Sequence, residues 1–161
     1  MAFKIQVSGM KELLDNLGKL GDEAPHIAAA GLYDGAGVVA DAVSAAVQGI
    51  ATKPFKYAFG GRKRKPSPEE KAILTSARKG VAKFRNNGTE VQTSVGMQNS
   101  GYATLNGKVK PVPLIANSIN SGTSFMEKQP FMRKAFSKSK GPATKAIEKG
   151  IHEKLDKINL G

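Results

Sequence analysis

Residues 22–48 read DEAPHIAAAGLYDGAGVVADAVSAAVQ, and this stretch decides the fold. Asp22 can cap a helix, Glu23 stands in its first turn, and Pro25 lies near the start, where a missing N–H costs nothing. Ile27, Leu32, Val38, Val39, Val43 and Val47 are the larger apolar residues, and alanine and glycine supply most of the rest. The pattern predicts one long α-helix ending near Gln48. So many small side chains let a second backbone come close. Such a face serves either core packing within one subunit or packing between subunits.

On the N-terminal side, Ala2 to Ser8 alternates, with Phe3, Ile5 and Val7 opposite Lys4 and Gln6. This predicts a short, half-buried strand. Met10, Leu13, Leu14, Leu17 and Leu20 then recur at helical spacing, and Gly21 supplies a stop. On the C-terminal side, Ser67-Pro68-Glu69-Glu70 reads as a capping box, with a helix expected through Ile73, Leu74, Ala77 and Val81 to Asn86-Asn87-Gly88. Glu90 to Met97 alternates as a strand. Tyr102 to Val109 is a further strand, interrupted by the hairpin-type pair Asn106-Gly107. Pro111 and Pro113 precede an apolar stretch, Leu114 to Ile119, and Ser121-Gly122-Thr123 turns. Pro130 opens a helical segment over Phe131 to Phe136, with an interruption expected at Lys138 to Pro142. Ala143 to Ile158 closes the chain as an amphipathic helix. The expectation is one α+β domain over residues 1–161, with a small antiparallel sheet.

Residues 49–68 break the periodicity. Pro54, Gly60, Gly61, Pro66 and Pro68 punctuate them, and Lys53, Lys56, Arg62, Lys63, Arg64 and Lys65 precede the first acid, Glu69. Phe55, Tyr57 and Phe59 lie among these charges. The segment is expected to be a basic loop or arm. Cations interleaved with aromatics suit phosphate contact and base stacking. Docking on an acidic neighbour and simple solvation are the competing readings.

The chain has 161 residues, enough for one independent core. It has no Trp and only 6% aromatics, so burial per residue is modest and neighbours in an assembly are expected to add stability. Cysteine is absent, which excludes disulfides and thiolate chemistry. This fits synthesis in a reducing cytoplasm. No signal-peptide pattern is evident, and no apolar run approaches the ~20 residues that cross a bilayer, so no membrane partner is expected. The net charge of +12 favours polyanionic partners. His26 and His152 begin no metal or catalytic motif, Glu69-Glu70 is explained as helix-start charge, and neither a phosphate-binding glycine loop nor a Gly-x-Ser-x-Gly elbow occurs. No enzymatic activity, cofactor or metal is expected.

Two segments carry a resemblance. The first runs from Phe3 to about Ala46: a strand, then Ser8-Gly9-Met10-Lys11-Glu12-Leu13-Leu14, then the long alanine-rich helix. The second is Asn120-Ser121-Gly122-Thr123-Ser124, a spacer, then Gln129-Pro130-Phe131-Met132-Arg133-Lys134-Ala135. Together they resemble the tail-completion and head–tail joining proteins of long-tailed bacteriophages. The second segment is similar to that family's Glu-aromatic-Gly-Thr-Ser … Pro-Phe-hydrophobic-Arg-Pro-Ala signature. Asn120 stands where an acid is usual, Ser121 replaces the aromatic, and Lys134 the second proline. The resemblance implies a structural virion protein at the neck or the head-proximal tail end. It implies a ring, sixfold to match a tail tube, with other neck or tail proteins as partners and genomic DNA in the channel. Gly122, Thr123, Pro130, Phe131 and Arg133 are then candidate assembly residues, and the basic arm a candidate DNA or partner contact. A small basic nucleic-acid-binding protein is the alternative.

Overall fold

The computed structural model describes residues 2–5, 21–54, 63–77, 79–81, 85–86, 91–97 and 100–159. The expected helix Met10–Leu20 lies outside the described residues, as do Lys56 and Arg62 of the basic arm and residues 6–8 of the first strand. In chain order the elements are β1 (Ala2–Ile5), α1 (Ala24–Gln48), α2 (Pro68–Ser76), β2 (Gly80–Val81), β3 (Arg85–Asn86), β4 (Val91–Gly96), β5 (Tyr102–Leu105), β6 (Lys108–Pro111), α3 (Val112–Ser121) and α4 (Phe131–Asn159). The fold is α+β.

The axis of the molecule is the pairing of α1 with α4. A Cβ built on Gly31 would stand 2.6 Å from Ile151 Cγ1 and 2.8 Å from the Ile147 carbonyl, and one on Gly35 would collide with the Ile147 side chain. Both positions are therefore glycine because α4 passes there with no room for a methyl group. The small-residue face of α1 serves packing within the subunit. Val39, Val43 and Val47 continue the seam, and Ile147 and Ile151 face it from α4; each is 2% exposed or less.

β4 organises the sheet. It pairs antiparallel with β1 from Ala2↔Gly96 to Ile5↔Thr93, with β2 at Gly80↔Gly96, and with β3 at Arg85↔Gln92. α1 also packs against β4, and Val95 is fully buried. The β5–β6 hairpin forms a separate two-stranded sheet. Asn106 and Gly107 both take positive φ, 51° and 73°, the geometry of a two-residue turn that matches strand twist.

Several expectations need correction. The N-cap of α1 is Glu23 rather than Asp22, without a side-chain cap bond, after a 3-10 turn over Gly21–Glu23. α2 stops at Ser76 instead of continuing through Val81 to Asn86-Asn87-Gly88. Ala77 turns extended, and the Lys79 ammonium takes the free carbonyls of Leu74 and Thr75 at 2.8 Å each. Gly80 and Val81 are thereby released to pair with β4. Leu114 to Ile119 belongs to a helix, α3, with Pro113 in its first turn. α4 runs unbroken through Pro142. A proline inside a helix costs about 3 kcal/mol. Here Phe131, Met132 and Ala135 before it, and Ala143, Ile147 and Ile151 after it, are all buried and hold both halves on one axis.

Candidate functional site: a latch beside two basic segments

The candidate assembly residues build a latch at the end of α3. Gly122 caps the helix with φ 75° and ψ 170°, a conformation open essentially to glycine alone. A Cβ there would also stand 3.0–3.1 Å from Lys128. The chain then turns through Thr123. Its hydroxyl accepts from the N–H groups of Phe125 (3.3 Å) and Met126 (3.0 Å), and its own N–H donates to the Met126 carbonyl (3.1 Å). Gln129 N–H reaches back to the Ile119 carbonyl at 2.8 Å. Asn120, buried on α3, accepts from Met132 N–H at 3.1 Å and so satisfies a free donor in the first turn of α4. Pro130 is half-buried, and Phe131 is in the core at 4% exposure. Four of the five candidates thus hold the subunit's own fold. Arg133 is exposed at the start of α4.

The latch grips the base of the basic arm. The Gln129 amide pairs with the backbone of Ala51 on both sides: Nε2 donates to the carbonyl at 2.7 Å, and Oε1 accepts from the N–H at 2.9 Å. Arg64 forms a parallel bridge with Met126, its N–H donating to Phe125 and its carbonyl accepting from Glu127, both at 2.8 Å. Lys53 N–H donates to the Pro66 carbonyl at 3.0 Å, which closes the loop across its base.

Arg64 does not stand free with its neighbours. Its guanidinium grips the Glu70 carboxylate with two bonds of 2.7 Å, and Glu70 Oε2 also accepts from Ser67 N–H at 2.8 Å. The reciprocal bond from Glu70 N–H to the Ser67 hydroxyl completes the capping box that the sequence predicts. Burial alone would raise the Glu70 pKa. The Arg64 bonds, the Ser67 N–H and the charges of Arg64 and Lys110 outweigh it and hold the carboxyl below its ordinary value. Of the other arm candidates within the described residues, Lys53 and Lys63 are exposed and Lys65 is half-buried.

Sequence reasoning missed three participants: Gln129 as a clamp, Glu70 as the partner of Arg64, and a second basic segment on α4. The last was visible. From Lys128 to Lys145 the chain carries six cations and no acid.

A groove of about 360 Å³ lies between the end of α1 and the start of α4, floored by Ala42, Ala46, Ile50 and Phe131, with Lys134 and Lys138 among its lining residues. Neither Arg64 nor Glu70 lines it. Among the described residues, no group of three His, Cys, Asp or Glu side chains could hold a metal, and no helix is long and apolar enough to cross a membrane. In comparisons with protein-family models, curated proteins and solved structures, none matches this chain.

Proposed function

We propose that this chain is a non-enzymatic structural subunit of a long-tailed bacteriophage. Copies of it would form a ring at the head–tail neck or the head-proximal tail end, complete the tail and join it to the DNA-filled head. The observation that supports this reading most is the latch. The two segments that resemble the tail-completion signature flank one bonded unit, in which Met126–Thr123, Gln129–Ile119, Gln129–Ala51 and Met132–Asn120 bonds tie α3, the arm base and α4 together, with Arg133 exposed beside it. Asn120, which stands where that signature usually has an acid, accepts from Met132 N–H through its neutral amide oxygen. Closed rings arise from head-to-tail contacts that close by rotation, and sixfold closure would match a tail tube. Its partners in this reading are further copies of itself, adjacent neck or tail proteins, and the genome in the channel.

Deleting the gene from the producing phage tests the role. Electron microscopy should then find filled heads and separate tails that fail to join. Intact infectious particles at wild-type yield would overturn the proposal.

A second reading, a small basic nucleic-acid-binding protein, is favoured by the exposed cations of Lys53, Lys63 and the first half of α4. It predicts that the deletion leaves heads and tails joined.

A further inference from the structure

The first half of α4 carries a charge pattern that neither the core nor the latch requires. Arg133, Lys134, Lys138, Lys140 and Lys145 are all exposed, and no acid occurs before Glu148. None of the five pairs with a carboxylate of the described residues, where the ion pairs are Arg64–Glu70 and Lys149–Glu153. At ~100° per residue, Lys134, Lys138 and Lys145 fall in one row about 40° wide, and Arg133 and Lys140 in a second row roughly 130° round the helix. Ser137 and Gly141 lie between the rows. Both are exposed, and a Cβ on Gly141 would meet nothing within 4 Å. The helix is fixed from beneath by Phe131, Met132, Ala135 and Ala143. The two rows therefore flank a low, open crest about 18 Å long, taking ~1.5 Å of rise per residue from Arg133 to Lys145.

The composition of this face selects the partner. A protein interface centres on desolvated apolar or aromatic anchors. The exposed large hydrophobics of the described residues are Tyr33, Tyr102, Val109, Leu114 and Phe125, and none is on α4. Cations beside small and hydroxyl-bearing residues suit the phosphate–sugar backbone of a nucleic acid. We propose that the first half of α4 is a docking surface for the phosphate backbone of duplex DNA, read without regard to sequence. The inference does not depend on the ring, because every residue it uses belongs to one subunit.

Fluorescence anisotropy with a labelled duplex of about 20 bp over a range of salt concentrations tests it. The full chain should bind with an affinity that falls steeply as salt rises. The triple variant K134Q/K138Q/K145Q should bind at least ~10-fold more weakly, with a log–log salt slope shallower by about 2–3. The K149Q/K154Q/K157Q triple removes the same charge from the same helix beyond Glu148 and should lose less than ~3-fold. The charge-preserving K134R/K138R/K145R triple should bind like the parent, which separates lost charge from lost fold. Absence of salt-dependent binding, or equal losses in the two glutamine triples, would overturn the proposal. Binding to a polyglutamate peptide as tight as to DNA would also overturn it, in favour of an acidic protein partner.

Discussion

Gly35 and Glu70 show how much rests on single atoms. At Gly35 a methyl group would collide with Ile147, a residue that is itself 1% exposed and cannot swing aside. Overpacking of this kind costs about 1–3 kcal/mol. G35A should lower stability by that amount in chemical denaturation, whereas G37A, whose Cβ meets nothing within 4 Å, should be neutral or mildly stabilising. Equal effects at the two positions would contradict the close helix approach. Glu70 is nearly buried beside Arg64, with side chains 5% and 15% exposed. Replacing it with Gln removes the carboxylate charge that the Arg64 guanidinium pairs with and should cost about 3 kcal/mol. The pH dependence has a definite sign. The folded-state pKa lies below the unfolded one, so the pair stabilises above the ordinary carboxyl value of about 4.5 and loses that contribution as pH falls through it and lower. Wild type should therefore lose stability over that acid range more steeply than E70Q, as thermal melts at stepped pH would register. At this scale the capping box was legible because Ser67 and Glu70 sit at the required spacing. The Arg64 partnership was not. Arg64 is one of four consecutive cations, and only folding decides which of them meets a carboxylate six residues on.

The elements were legible wherever local pattern and tertiary packing agree. α1 is long because its periodicity is unbroken, and the β5–β6 turn forms at Asn106-Gly107 because that pair tolerates positive φ. The misreadings fall where packing overrides local preference. α2 gives up Ala77 to Val81 because Gly80 and Val81 gain ladder bonds with β4. Pro142 fails to end α4 because the buried residues on either side offset its cost. The latch was half legible. Its glycine, threonine and proline were visible as turn and start signals, but the Gln129 clamp spans 78 residues and leaves no local trace. Gly122 and Gln129 test this element. G122A forces an L residue into a glycine-only conformation against Lys128 and should cost at least about 2 kcal/mol. Q129A removes two bonds at an exposed site and should cost about 1 kcal/mol. If the clamp orders the arm, Q129A should also speed amide exchange at Ala51 while leaving Val39 and Val43 in α1 protected. Unchanged exchange at Ala51 would rule the clamp out as the arm's anchor.

The whole molecule is a helix pair laid beside a small sheet, with its formal charge of +12 unevenly distributed. α1 carries Asp34 and Asp41 and no Lys or Arg, whereas the first half of α4 carries five cations and no acid. The most direct test of the ring is native mass spectrometry of the purified chain over a wide concentration range at moderate salt. The account predicts one discrete oligomer, six copies if closure matches a tail tube, appearing as concentration rises or as a neck or tail partner is added. A strict monomer at every concentration, unchanged by those partners, would contradict it.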